Sequence, residues 1–384
     1  MVQILDTTLR EGEQTPGVYF DPHIKMAIAK LLDEIGVDII EAGHPMVTEE
    51  IHTTVRKIAS AGLNASVGAH ARSLKKDVDL ALECGVDFIG VFYCVSENRL
   101  NSVFNKDLNA AIDQITEVIA YARDQKPDLI IRYTPEDTVR SPWDNVIKAS
   151  VAAVRAGADI ISVADTTGYM IPGTERSLYH FVKKLKKEFS TCGLSPKVAV
   201  HCHNDRGLAL ANALDGYHGG ADIIDATVLG LGERAGLVDL ASLLTIMKFD
   251  FQEKNNWRLE KLTTLYELVS QHSKIPIPVN FPMTGRNAFS HCAGVHTQAA
   301  LIDPVHYESL HPRILGRKTQ IALDHMSGLN SVKYALNEIG ETHVPENLML
   351  RILNRVKQVG KRGRVVDLDE LKHITDWCRH HEED

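Results

Sequence analysis

Apolar positions along the chain fall into short, nearly unbroken runs separated by amphipathic stretches, and four of those runs share one design. They are Ile35-Gly36-Val37-Asp38-Ile39-Ile40, Cys84-Gly85-Val86-Asp87-Phe88-Ile89, Ala156-Gly157-Ala158-Asp159-Ile160-Ile161 and Gly219-Gly220-Ala221-Asp222-Ile223-Ile224. In each, a glycine placed to end a helix is followed at once by a short apolar strand. Strand-like runs at residues 2–6, 65–71, 128–133 and 197–203 lie between them. Amphipathic stretches separate the strands, including residues 22–35, 108–123, 143–156 and 174–189. Strands apolar throughout suit a sheet covered by protein on both faces. Strand–helix units repeating through residues 1–250 predict an α/β protein built on a (β/α)8 TIM barrel, the glycine-capped units falling on the even-numbered strands. The competing architecture, an open doubly wound sheet, usually has fewer strands and a visible phosphate loop.

Beyond residue 250 the rhythm changes. Residues 251–280 read as a linker: a connecting helix over 250–275, then Ile275-Pro276-Ile277-Pro278 held extended. Residues 281–384 read as a mostly helical C-terminal lid region: a Gly/His/Pro-rich segment at 281–317, then helices near 328–339, 345–359 and 368–380. Asp367 is placed to cap the last of these. The region looks too small and irregular for a large core of its own, so it is expected to pack on a barrel, its own or a partner's.

Composition narrows the function classes. Apolar residues make up 44% and charged residues 24%, enough for a large core and unlike a disordered chain. Lys and Arg total 42 against 50 Asp and Glu, a formal charge of −8, which argues against a nucleic-acid or anionic-membrane surface. The six cysteines include no C-x-x-C pair and read as reduced, mostly buried thiols of a cytoplasmic protein. Residues 2–6 read as a strand rather than a secretory leader, and no apolar run approaches the roughly 20 residues of a membrane span.

Catalytic groups of such barrels sit past the C-terminal ends of the strands, and those positions are densely polar here. Strand 1 runs into Asp6-Thr7-Thr8-Leu9-Arg10-Glu11-Gly12-Glu13-Gln14, strand 7 into His201-Cys202-His203-Asn204-Asp205. A lone H-x-H carries little. On a strand, however, residues two apart point the same way, so His201 and His203 can reach one ion while Cys202 faces the helices. Glu11 can add a hard oxygen, and two nitrogens plus a carboxylate suit Zn, Mn, Mg or Co chelating a 2-oxo acid. Arg10 would stabilise charge growing on the keto oxygen. Arg132, Thr134 and Glu136 alternate along strand 5 and so face inward together. An inward arginine is costly without an anion, which points to a second substrate carboxylate or to a structural pair with a glutamate. Gly230-Leu231-Gly232-Glu233-Arg234-Ala235-Gly236 is too long for a dinucleotide loop and reads as a tight turn after strand 8.

These strand-end segments, with Gly230-Leu231-Gly232-Glu233-Arg234, resemble the signatures of the metal-dependent Claisen-condensing barrels: isopropylmalate, citramalate and homocitrate synthases, with the related hydroxymethylglutaryl-CoA lyases. The likeness runs from Val2 to about Ile339. It implies that acetyl-CoA adds to a metal-held 2-oxo acid and that hydrolysis releases CoA. The homocitrate synthase branch is resembled most, by Glu11 and by Arg132-Tyr133-Thr134-Pro135-Glu136-Asp137. That implies 2-oxoglutarate converted to (R)-homocitrate, its carboxylates held by Arg132, Thr134, His70 and Thr166, with Gln14 and Glu41 assisting. The segment from Thr284 to His296, with Tyr307, resembles the family's lid. In the family this lid reaches into the neighbouring subunit, implying a homodimer with swapped tails in which His296 and Tyr307 work with Glu136 to take a proton from acetyl-CoA.

Two positions depart from that branch. His44 and Arg206 stand where homocitrate synthases usually carry uncharged residues, and extra cations at the mouth would also suit 3-phosphonopyruvate. Oxaloacetate, pyruvate and 2-oxoisovalerate are other acceptors for the same condensation, although Arg132 speaks against the uncharged ones. An acyl-CoA lyase running the reverse reaction is disfavoured by the lid.

Overall fold

The computed structural model describes residues 1–381 and divides into two compact units, Met1–Pro276 and Ile277–Asp384. In the first, β1 (Gln3–Asp6), β2 (Ile39–Glu41), β3 (Ser66–Arg72), β4 (Phe88–Cys94), β5 (Ile130–Glu136), β6 (Ile160–Asp165), β7 (Lys197–Cys202) and β8 (Ile223–Ala226) close into a parallel barrel in chain order. The expected (β/α)8 architecture is therefore what the chain adopts. Its floor is filled by Leu5, Ile39, Phe88, Ile160, Ala199 and Ile223, each from a different strand. Filling the interior in this way leaves only the strand C-termini open to chemistry.

The local signals explain the alternation. Asp21 caps α1 (Pro22–Ile35) by accepting from the His23 and Ile24 amides, with proline at N1. The repeated glycines do what their spacing implied: Gly36, Gly85, Gly157 and Gly220 sit at φ of 95°, 76°, 118° and 100°, ending helices in the left-handed region so the chain can enter the next strand. The connecting helix expected over 250–275 is present as Leu262–Ser273, and its Tyr266 hydroxyl donates to Asp239 at 2.5 Å.

Strand 5 runs past the apolar stretch ending at 133 to Glu136, as the alternation of Arg132, Thr134 and Glu136 required. Its neighbour β4 continues to Cys94 and pairs Phe92 with Thr134 and Cys94 with Glu136. Pairing with β6 stops at Tyr133, so Pro135, which has no N–H, leaves no ladder bond unmade.

The second unit corrects an expectation. Its helices Leu329–Glu338, Glu346–Gly360 and Leu368–His380 enclose a core of their own, including Val332, Leu336, Ile352, Val356, Leu371 and Ile374. Apolar residues at helical spacing on three successive helices meet one another, which the irregular segment before them obscured in the sequence. Asp367 caps the last helix by accepting from the Glu370 amide. Among the described residues no helix is long and apolar enough to cross a membrane. Of the cysteines, Cys84, Cys94, Cys202 and Cys378 are buried, Cys192 exposed and Cys292 half-buried.

Candidate active site

At the C-terminal mouth of the barrel a cavity of about 220 Å³ is lined by Arg10, Glu11, Gln14, His70, Arg132, Thr134, Glu136, Thr166, His201 and His203, all singled out from the sequence. Glu41 lies one layer behind. It is fully buried and accepts from Thr7 Oγ1 at 2.6 Å, Arg10 Nε at 2.6 Å and His70 at 3.1 Å. His296 and Tyr307 belong to the second unit, where their rings stand 4.2 Å apart, centroid to centroid.

Glu11, His201 and His203 are the cation-binding candidate among the described residues. All are buried, and their ligand atoms lie within 4.8 Å of one another. His201 Nδ1 is 2.8 Å from Asp225 Oδ2, which fixes the proton there and turns the Nε2 lone pair toward His203 Nε2, 3.3 Å away. Two converging imidazole lone pairs beside a carboxylate fit a divalent ion well. Burial, the nearby His201 and Arg234 push His203 down to about 3 against the pull of Glu11, so it stands ready as a neutral ligand. Burial would raise the Glu11 carboxyl, but Arg10, His201 and His203 outweigh it and hold it below the ordinary range. Gln14, with its amide nitrogen turned inward, donates to the Glu11 oxygens at 3.0 and 3.2 Å.

Arg10 is buried between Glu11 and Glu41. It is thus an interior cation fixed by two carboxylates, not a surface ion pair. Glu41 stays well below the usual carboxylate range because Arg10, His70 and Arg132 overcome its burial. His70 is pushed down to about 4 by burial and by Arg10, against the pull of Glu41, while its ring stacks on Phe92 at 4.7 Å.

Arg132 meets an internal anion, but an aspartate rather than the glutamate weighed from sequence. Its Nη1 donates to both oxygens of Asp225 at 2.9 Å. Its Nε, however, is buried with no partner among the described residues, as is the hydroxyl of Thr134 two residues on. Thr166 Oγ1 accepts from the Asp137 amide at 3.0 Å. Asp225, bridging Arg132 and His201, escaped the sequence reading; its signal was one acid in the otherwise apolar strand Ile223-Ile224-Asp225-Ala226.

The two suspected extra cations do not charge this cavity. His44 lines it, but Nε2 is bound to Asp77 Oδ2 at 3.2 Å, and burial, with Arg10 and Arg72, keeps its pKa below the usual value despite Asp77. Arg206 is exposed and stands over the Tyr169 ring at 5.9 Å. The seven-residue glycine segment is the tight turn expected: Gly236 donates to Glu233 O at 2.9 Å, and Gly232 is tied to Thr15 Oγ1 at 2.8 Å.

HMGL-like proteins match residues 1–269, and the homocitrate synthase post-HMGL domain matches residues 283–364. Homocitrate synthase from Pyrococcus horikoshii is 44% identical over 354 residues, 92% of this chain and 94% of that protein. The chain belongs to the homocitrate and isopropylmalate synthase family. It is accordingly an acyltransferase-type enzyme, of a family that is metal-dependent and uses acetyl-CoA. Within that family, 2-isopropylmalate synthase from Methanocaldococcus jannaschii is 37% identical over 372 residues, covering 96% of this chain and 70% of that one. Among solved structures, HMG-CoA lyase from Brucella melitensis superposes with a TM-score of 0.58 at 22% identity, over 71% of this chain and 99% of that one. At that identity the likeness speaks for the fold alone.

Proposed function

We propose that this family member condenses acetyl-CoA with 2-oxoglutarate to give (R)-homocitrate and CoA. The Pyrococcus relative, a homocitrate synthase, supports that product. The observation that carries the acceptor's identity is the pair of orphaned polar atoms, Arg132 Nε and Thr134 Oγ1, on one inward strand face in the cavity that holds Glu11, His201 and His203. Buried donors are rarely left unpaired, and a carboxylate distal to the keto group would satisfy both.

A divalent ion held by Glu11, His201 and His203 supplies Lewis acidity toward the acceptor's keto group. Arg10, immobilised by Glu41, adds positive charge where negative charge develops on that oxygen, with little reorganisation. His70 and Thr166 complete the acceptor's polar surroundings. Glu136, with His296 and Tyr307 from the lid of a neighbouring subunit, removes a proton from the acetyl methyl group. The methyl carbon then bonds to the keto carbon, and water cleaves the thioester. A thioester α-carbon is weakly acidic, so the base must be closely placed. Val295, Ile302 and Val305 are exposed apolar residues around His296 and Tyr307, as suits a lid covered in a swapped homodimer. The compartment proposed is the cytoplasm, on sparse cysteines with no C-x-x-C pair.

Thiol release from acetyl-CoA, measured against a panel of 2-oxo acids with and without chelator, tests this reading. Fastest release with 2-oxoglutarate, abolished by chelator and by His203→Ala, is expected. Preference for pyruvate, 2-oxoisovalerate or 3-phosphonopyruvate, or full activity in His203→Ala, would overturn it.

A further inference from the structure

Glu136 ends β5 with its two oxygens in different situations. Oε1 accepts from Arg99 Nη1 at 2.5 Å, whereas among the described residues no hydrogen bond engages Oε2. The carboxylate borders the cavity and is 28% exposed. Beyond Tyr133 its strand is paired only with β4, so the backbone alone restrains the side chain weakly.

Arg99 approaches from the helical segment that follows β4, made of Glu97–Arg99 and Leu100–Phe104. That segment is anchored on both sides of the arginine. Leu100 is buried, the Phe104 ring stacks on Tyr93 at 4.7 Å, and Asn145 Nδ2 donates to Val95 O at 3.0 Å. The neighbouring acid, Asp137, is occupied separately: Arg140 Nε and Nη2 hold its two oxygens at 2.7 and 2.9 Å. Two adjacent carboxylates thus have separate guanidinium partners, and Arg140 is not free to replace Arg99.

We infer that Arg99 is a positioning residue for Glu136, clamping one carboxylate oxygen so that the other faces the substrate as the proton acceptor. The inference rests on the proposed role of Glu136 as base. A half-exposed ion pair of this kind adds little to stability; its effect lies in orientation. A glutamate left to sample several rotamers spends much of its time out of reach of the methyl proton, and misplacement by about 1 Å can cost about 100-fold in rate.

Steady-state kinetics of Arg99→Met, Arg99→Lys, Glu136→Gln and the Arg99→Met/Glu136→Gln double variant, with acetyl-CoA and 2-oxoglutarate, test the inference. Arg99→Met should lower kcat by about 10–100-fold while both KM values stay within about twofold. Arg99→Lys should recover part of that loss, since an ammonium can still bind one oxygen. In the Glu136→Gln background Arg99→Met should have no further effect, because the group it orients has lost its function. Unchanged kcat in Arg99→Met while Glu136→Gln is inactive would overturn the inference and leave the base assignment standing. So would a rise in the acetyl-CoA KM alone, or additive losses in the double variant. Normal turnover by Glu136→Gln would overturn the base assignment and the inference with it.

Discussion

The imidazole of His201 is tied through Nδ1 to Asp225 Oδ2 at 2.8 Å, and the same carboxylate receives Arg132 Nη1 at 2.9 Å. One buried acid therefore orients a metal-ligand candidate and a substrate-carboxylate candidate together. Partners behind a ligating histidine set its tautomer and ring angle, and losing one typically weakens metal affinity about 10–100-fold. Asp225→Asn should raise the Kd for Mn²⁺ by that factor in titration calorimetry of the metal-free protein. The far-ultraviolet spectrum should stay native, because an amide oxygen still accepts from Arg132. An unaltered Kd would show that the His201 orientation is set elsewhere.

The Thr134 hydroxyl is buried with no partner among the described residues. Removing a polar group that makes no hydrogen bond in the fold should not destabilise it, and relief of its desolvation is worth about 1–3 kcal/mol at most. If the hydroxyl serves a ligand instead, the loss appears only with substrate. Thr134→Val is therefore expected to leave the melting temperature unchanged or raised, while KM for 2-oxoglutarate rises about tenfold, the equivalent of one hydrogen bond to a charged group. A lowered melting temperature with unchanged KM would make Thr134 a structural residue.

What could be read from the chain, and what could not, divides by the range of the interactions. The barrel was legible because each unit announces itself locally, with a glycine such as Gly36 or Gly157 beside an apolar run. His201 and His203 were legible because the two-residue period of a strand fixes their common direction. Asp225 was not, since its partners lie 24 and 93 residues away across the barrel. The same holds for Arg99, whose relation to Glu136 depends on how the segment after β4 folds back over the mouth. The alternation of Arg132, Thr134 and Glu136 carried β5 through Pro135, and the one-sided pairing with β4 is what lets a proline stand there. The helical core of the second unit was obscured by the irregular segment preceding it.

His70 offers a test by pH. Its folded-state pKa is about 4, below its ordinary value of 6.5, because of burial and Arg10. The unfolded chain takes up a proton near pH 6.5 that the folded protein declines until about pH 4. This group's contribution is therefore complete above pH 6.5 and is lost as the pH falls toward 4, by roughly 3 kcal/mol. His70→Gln keeps an amide donor for Glu41 but cannot titrate. Urea unfolding of the metal-free protein should show the stability gap between wild type and His70→Gln moving in favour of the variant by about 2–3 kcal/mol between pH 7 and pH 4.5. Parallel pH curves would show that His70 charges as readily folded as unfolded.

Gly236 turns the loop after β8 back toward Glu11, and it does so at φ 82°. Its amide donates to Glu233 O, its carbonyl accepts from the Asn204 amide at 2.8 Å, and the Glu233 amide lies 3.4 Å from Glu11 Oε1. A Cβ added here would stand 1.7 Å from Gly230 O, a backbone atom with no freedom to move aside. Gly85, at φ 76° with nothing within 4 Å of an added Cβ, isolates the dihedral cost from the clash. Gly85→Ala should lose about 1–2 kcal/mol, the ordinary penalty for a left-handed alanine. Gly236→Ala should lose more than about 3 kcal/mol, because the loop must also open. Opening withdraws the Glu233 amide from Glu11, so Mn²⁺ affinity should fall in Gly236→Ala and hold in Gly85→Ala. Equal melting-temperature losses in the two variants would mean that the loop yields easily and does not brace the site.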